Sequence, residues 1–328
     1  MNIKKEKSNS LFRIAITGVG AIIGQGIAKS LRQSGFDVTI IGVDKQITPF
    51  AQSLCDLCVE KPKVDEEDSA YLDFWMSLIV EQQVDLIIPG LEVDVFFLNQ
   101  HRQHFLNTCI ALNNPTLIEL AKDKWHTFQF LQRAHVIAIP SLLPESWQEC
   151  LTQLGSPPYI LKPRCGNGSR GIVELEDESD FLYWKKKVKY SFLVQPKIGS
   201  DETEYTAAAF GLGDGRSLAP IIFRRKLSVA GNTQYAEVCE EPGIVELIAQ
   251  LSQMLSPVGP TNYQFRKHGD IWYLLEINPR ISSSNSLRTA FGYNEAAMCV
   301  AHYLLQQEPS LVKIKSGKGW RYYEDFIL

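Results

Sequence analysis

Residues 274–286, LLEINPRISSSNS, hold the side chains best placed to do chemistry. The short apolar run at 272–275 reads as a buried strand that delivers Glu276, Asn278 and Arg280 at its end. Pro279 cannot donate to a sheet ladder, so regular pairing is expected to stop there. Side chains two apart on a strand share a face, which puts Glu276, Asn278 and Arg280 on one side. A carboxylate beside an amide oxygen makes a hard-cation site of the kind Mg²⁺ takes when phosphates complete its shell. The planar fork of Arg280 suits a phosphate or a carboxylate. A strand edge with a solvated polar end would use the same residues, so other segments must decide.

Lys162 opens the next segment. A strand at 159–161 runs into Lys162-Pro163-Arg164 and then CGNGSRG at 165–171. A strand resumes at 172–175, so this is a hairpin rather than a strand-to-helix phosphate loop, and GxxxxGK[ST] occurs nowhere in the chain. Glycines let backbone N–H groups approach phosphate oxygens and form an anion nest. A surface hairpin is the bland alternative, and Lys162 weakens it. A third segment, Gly18-Val19-Gly20 with Gly24, departs from GxGxxG by one residue. Asp44 follows where a ribose-binding acid would stand, about 20 residues on. The same turn suits any anion at a helix N-terminus. Cys55/Cys58 and His101/His104 are lone CxxC and HxxH pairs. A zinc site needs properly spaced second pairs, so buried thiols and surface histidines are the better reading.

Strands at 12–17, 36–43, 84–88 and 109–113, with helices at 21–32 and 71–81, make a parallel, doubly wound unit. Glu92 follows the third of these strands, where it can either meet a substrate amine or cap the next helix. Asn114-Pro115 marks a boundary. Beyond it, one helical stretch is expected at 116–134 and a basic helix at 180–189. Strands are expected at 192–195, 204–211 and 220–226, a helix at 242–255, and a hairpin of 262–267 with 271–275. That hairpin brings Gln264 beside Glu276. A last helix is expected at 295–306, and the aromatic stretch 313–328 reads as a closing strand or latch.

With 328 residues, two or three domains are expected. The net charge of −4 leaves no electrostatic footprint for nucleic acid. No apolar run is long enough for a membrane span, and the polar start reads as a frayed tail rather than a signal peptide. Seven scattered cysteines suit reduced thiols in a cytoplasm. A homodimer is the default assembly.

The order of these segments resembles the ATP-grasp superfamily over nearly the whole chain. An open α/β domain, a DK-bearing helix, a Lys-Pro strand, a Gly-rich hairpin, a Glu-bearing strand and a terminal E-x-N-P-R strand follow in sequence. The stretch NPRISSSNSLRTAFGY is most similar to the carbamoyl-phosphate-synthase large-chain type. The resemblance implies an α/β and α+β chain: a tail at 1–11, a Rossmann-like pre-ATP-grasp domain at 12–114, a small lobe with the Gly-rich lid at 115–190 and a large lobe with the metal site at 191–328.

It also implies roles. Lys124 and Lys162 would hold the ATP phosphates, under a lid of residues 166–171 including Gly166, Gly168, Ser169 and Gly171. Gln195, Pro196 and Ile198 would form the adenine hinge, and Glu204 would accept the ribose hydroxyls. Gln264, Glu276 and Asn278 would bind one or two Mg²⁺, with Mn²⁺ an acceptable substitute. Arg280 would lie near the transferred phosphate, with Arg225 a looser match among the basic residues. Three positions depart from the pattern: Gln264 for the usual Glu, Ala208 for Asp, and Ser283 for a second Arg. The implied activity is ligation of a carboxylate to an amine through an acyl phosphate, on small-molecule substrates. The first domain and residues 282–288 would hold the acid and the amine, Ser283, Ser284 and Ser286 offering hydroxyls and Arg288 a positive charge. A carbamoyl-phosphate-type enzyme, another ATP-dependent phosphorylation of a small acid, or an NAD(P)-linked reductase using the Gly18 turn are the alternatives.

Overall fold

The computed structural model describes residues 11–166, 171–310 and 313–328. The expected tail, apart from Leu11, and the loop tip carrying Gly168 and Ser169 lie outside the described residues.

The first unit is a parallel sheet of β1 (Phe12–Thr17), β2 (Val38–Asp44), β3 (Leu57–Glu60), β4 (Leu86–Ile88) and β5 (Cys109–Ile110), in the order β3-β2-β1-β4-β5. Helices α1 (Ile22–Arg32), α2 (Pro49–Leu54), α3 (Ser69–Glu81) and α4 (Glu92–Gln100) connect the strands. Ile14 and Ile16 point into one core, and Ala15, Ile41 and Val43 into the other. Burial on both faces explains why these strands read as continuous apolar runs. Lys61 Nζ and Tyr71 Oη both donate to buried Asp94 Oδ1, at 2.7 and 2.8 Å, tying the end of β3 to α3 and α4.

The expected helix at 116–134 is two helices, α5 (Pro115–Lys122) and α6 (Lys124–Arg133). Asp123 breaks them: it caps α6 by accepting from Trp125 N at 2.8 Å and is gripped by Arg164 Nη2 at 2.5 Å. Next come α7 (Trp147–Leu154), β6 (Tyr159–Pro163), β7 (Val173–Leu175), α8 (Glu178–Lys187) and β8 (Phe192–Pro196). Their antiparallel sheet, β7-β6-β8, packs on Trp147 and Phe181. Because β8 pairs with β6, the smaller sheet runs past the expected boundary at residue 190.

The larger sheet holds β9 (Glu204–Leu212), β10 (Ile221–Leu227), β11 (Thr233–Cys239), β12 (Val258–His268), β13 (Ile271–Asn278) and β14 (Lys318–Trp320). All neighbours in the order β13-β12-β9-β10-β11-β14 are antiparallel. On one face α9 (Pro242–Leu255) covers Ala207, Tyr263 and Phe265. The other face is apolar at one end, where Ala208, Phe210, Ile221 and Phe223 share a core with residues of α1, and polar at the other. The last expected helix is shorter: α10 (Asn285–Ala290) precedes α11 (Glu295–Cys299), which continues as a π-turn over Val300–Leu304.

The first unit docks on the larger sheet through α1 and α10. Asn285 Nδ2 donates to Ile23 O at 3.3 Å, and Ser30 Oγ lies 2.7 Å from Thr289 Oγ1. Gly26 makes this approach possible, since a Cβ there would lie 2.4 Å from Asn285 Oδ1. Helix propensity alone favours Ala over Gly by about 1 kcal/mol. Overpacking of about 1–3 kcal/mol opposes it. Gly26→Ala is therefore expected to lower Tm in thermal unfolding, and Asn285→Ala in the same chain should recover part of the loss. A rise in Tm for the single variant would refute this docking.

Candidate functional site

The polar half of the larger sheet faces the smaller sheet. Gln264 on β12 stands opposite Glu276 on β13 and donates from Nε2 to Glu276 Oε2 at 3.0 Å. A bulge follows, because Phe265 pairs with Leu274 and leaves Leu275 unmatched. Phe265 and Leu274 thereby join the apolar cluster under α9, while Gln264 and Glu276 turn to the polar side. Asn278 is buried opposite Asn262, two residues beyond Glu276 as expected, and β13 ends there before Pro279.

From β10, buried Arg225 donates through Nη2 to Glu204 Oε1 and Gln264 Oε1, each at 2.9 Å, and through Nη1 to Thr233 Oγ1 at 3.3 Å. Arg266 Nη2 takes the other Glu204 oxygen. Glu204, expected to accept ribose hydroxyls, is thus engaged by two arginines, and Gln264 turns its oxygen to Arg225. Burial lowers the pKa of Arg225, partly offset by Glu204.

Lys162 enters from β6 and Lys124 from the first turn of α6. Together with Gln195, Glu276, Phe128, Leu131, Ala138, Ile139 and Leu274 they line one cleft. Lys124 Nζ donates to Gly166 O at 2.7 Å and stands 3.7 Å from Glu276 Oε1. The pKa of Lys162 is pushed down from 10.5 to about 8, first by burial and then by Lys124, with Glu276 opposing. Asp123 stays below the usual carboxylate range: burial would raise it, but hydrogen bonds from Arg164 and Trp125 N outweigh that.

Gln195 Nε2 donates to Ser141 Oγ at 2.6 Å, which aims this side chain along the cleft wall. Pro196 closes β8 opposite Tyr159, and Ile198 follows, its carbonyl 3.5 Å from Arg266 Nη1. Gly171 holds a positive φ and its carbonyl accepts from Tyr190 Oη at 3.2 Å. Arg280 donates from Nη1 to Ile281 O at 3.0 Å, and its buried Nε has no partner. Sequence reading missed Arg266, Ser141 and Arg164, whose roles depend on partners far along the chain.

Some expectations fail. Arg288 cannot offer its charge to a substrate: it is fully buried, with Nη1 3.2 Å from Glu295 Oε2 and Nη2 donating to Asn262 Oδ1 at 2.6 Å and Thr206 Oγ1 at 3.1 Å. Ser284 bonds Thr233 at 2.9 Å. Asp44 spends its carboxylate on the N–H groups of Gly20 and Lys45, at 2.9 and 2.7 Å, which braces the glycine turn. Glu92 opens α4, where its charge suits the helix dipole. Among the described residues no group of three or more His, Cys, Asp or Glu could hold a metal, and His101 packs on Phe97. Among them, too, no helix is long and apolar enough to cross a membrane.

The donor set suits a polyphosphate with its hard cation. Lys162 is a buried ammonium crowded by a second lysine, and Arg280 Nε is a buried donor in want of an acceptor. Mg²⁺ commonly keeps waters and substrate phosphates beside one or two carboxylates, so Glu276 with the amide oxygen of Asn278 fits it, whereas Gln264, expected as a third ligand, gives its oxygen to Arg225 and its amide N–H to Glu276.

Residues 191–326 match the family described as ATP-grasp in the biosynthetic pathway with Ter operon. No curated protein matches the chain. Many solved structures share its fold, among them the following three. N5-carboxyaminoimidazole synthetase from Staphylococcus aureus, complexed with ADP, gives a TM-score of 0.70 at 16% identity, over 93% of this chain and 80% of that one. The biotin carboxylase domain dimer of Hydrogenobacter thermophilus 2-oxoglutarate carboxylase, with MgADP, ADP and bicarbonate, gives 0.70 at 15%, over 94% and 74%. An L-amino acid ligase from Bacillus licheniformis gives 0.68 at 20%, over 89% and 74%. The family match is confined to residues 191–326, and the three likenesses, at 20% identity or less, show a shared fold over nearly the whole chain.

Proposed function

We propose that the protein is an ATP-dependent carboxylate–amine ligase, working between a small lobe that ends with β8 and a large lobe that begins with β9. The observation that carries this reading is Lys162: a buried ammonium beside Lys124, facing Glu276 across the cleft. Such an arrangement is costly in an empty cleft and favourable once phosphates enter it. The three neighbours include an ADP complex, a MgADP and bicarbonate complex and an amino acid ligase, which supports the same reading.

In this reading Lys124 and Lys162 hold the ATP phosphates, and the apolar wall of Phe128, Leu131 and Ile139 takes the base beside Gln195. Glu276 and Asn278 would hold the magnesium, with Gln264 orienting Glu276, and the ion would supply positive charge to the phosphates. A substrate carboxylate oxygen attacks the γ-phosphorus as the bond to ADP breaks. The amine nitrogen then attacks the acyl carbon, phosphate leaves, and the nitrogen loses a proton. Phosphoryl transfer needs positioned positive charge more than a protein nucleophile. Arg280 and Lys162 supply it, and the buried cleft restrains water from the intermediate. A reductase is not favoured, because the turn itself uses Asp44.

The reading is tested by ADP release from MgATP across a matrix of amino acids, uronic acids, bicarbonate and amines including ammonium. Release that needs both an acid and an amine is expected. Release with bicarbonate and ammonium alone would point to carbamoyl chemistry instead, and NADPH consumption without ADP release would overturn the assignment. Glu276→Ala and Lys162→Ala should each abolish release in a folded protein; near-normal turnover in either would also overturn it.

Lys162 makes the pH dependence specific. Its charge is needed to hold phosphate, so the KM for ATP is expected to rise as pH climbs through about 8. Lys162→Arg should remove that inflection. The stability of the ligand-free protein runs the other way. Between about 8 and 10.5 the unfolded chain binds the proton that the folded chain has lost, so this residue's penalty fades as pH rises through that window. Lys162→Met is therefore expected to raise Tm at pH 7, with a gain that shrinks toward pH 10; an unchanged gain over that range would mean the lysine is not desolvated.

A further inference from the structure

Arg321 follows β14 at the closing end of the chain. Strand alternation places it with Gly319, which pairs with Ala236, and Ala236 pairs with Arg225. Arg321 therefore lies on the polar face of the larger sheet, whereas Trp320 lies on the other. Its backbone N–H donates to Gln234 O at 2.8 Å, and its Nη2 donates to Ser283 O at 2.6 Å. Nη1 is shut from solvent and has no hydrogen-bond partner. Burial lowers its pKa, and the group opposing that shift is a phenol, Tyr323, not a carboxylate.

The turn it grips is the one Arg280 grips. Arg280 holds Ile281 O and Arg321 holds Ser283 O, carbonyls at most about 7 Å apart by chain reach. Each arginine keeps one buried N–H without an acceptor, Nε of Arg280 and Nη1 of Arg321. The turn is joined to the rest of the site by Ser284 to Thr233 and Thr233 to Arg225. Arg288, just beyond the turn, differs because Glu295 neutralises it. Arg321 makes no ion pair with a carboxylate among the described residues, and a guanidinium held in this way is a recognition element for an anion.

We propose that Arg321 anchors a carboxylate of the acid substrate, across the 281–284 turn from Arg280. The assignment rests on the ligase reading and adds a specificity-determining residue to it: the acid is held by the C-terminal latch, while the nucleotide is held by Lys124, Lys162 and Arg280.

The first test uses simple anions, so it does not depend on turnover. Malonate and inorganic phosphate are titrated against the 328-residue chain in thermal-shift measurements, with MgADP as a separate arm. Malonate should stabilise the wild type. Arg321→Gln should lose most of that shift, and Arg321→Lys, which keeps the charge without the fork, should keep part of it. The MgADP shift should be the same in all three. With the acid that supports ADP release, Arg321→Gln should raise the KM for the acid at least tenfold and change that for ATP less than twofold. Should Arg321→Gln fail to fold, Arg321→Lys carries both measurements. Equal anion shifts and equal acid KM values in wild type and variants, or a phosphate response with no malonate response, would overturn the proposal. An Arg321-dependent malonate shift without any MgADP shift would leave the anion site standing and sink the ligase reading.

Discussion

Positive charge held away from water is the constraint on which the rest of this structure depends. Lys162, Arg225 and Arg266 crowd around Glu204 and Glu276, and Lys124 stands close by. Carboxylates satisfy only part of that charge. The two sheets must therefore be held rigidly enough that the cations do not simply swing into solvent. The fold does this by putting them on different supports: Lys162 on the small sheet, Lys124 in the first turn of α6, and the arginines on β10 and β12, the strands that flank β9 in the large sheet.

The large sheet meets that demand through register. Gln264 opposite Glu276, and Arg266 opposite Glu204, put acceptors and donors side by side. The bulge at Leu275 lets Leu274 pack into the cluster under α9 at the floor of the cleft while Glu276 turns to the polar side. At the other end of that face an apolar half shares a core with the first unit, and Gly26 lets α1 and α10 approach closely enough for Asn285 to bridge them. The glycine-turn unit, which in isolation invites a dinucleotide reading, is thereby turned into a scaffold for the turn that follows Asn278.

That turn is held from two sides. Arg280 and Arg321 approach it from different parts of the chain, and Arg288 beneath it is spent on Glu295, Asn262 and Thr206. The serines serve the turn as much as any ligand: Ser282 Oγ accepts from Ser284 N at 3.3 Å, and Ser284 holds Thr233. A hydroxyl-rich stretch that suggests a binding surface is in good part the internal bracing of one.

The sequence by itself determined the strand that carries Glu276, Asn278 and Arg280, its stop at Pro279, the hairpin that brings Gln264 alongside, and the parallel unit at the start. Those features follow from local rules: the period of a strand, proline's missing donor, and apolar runs between glycine turns. It also placed the α9 helix over Pro242–Leu255. It did not reveal α2, β3, α7 or β11, which are short or weakly patterned, nor that Asp123 splits a helix. Only the tertiary structure decided which basic residues serve the site, since Arg266 and Arg225 acquire their role from Glu204, Gln195 its direction from Ser141, and Arg321 its place from Ser283. The physical reason is that a charge's value depends on what surrounds it: Arg288 and Arg321 look alike in the sequence, and only the presence of Glu295 beside one of them separates a buried brace from a group that can hold a ligand.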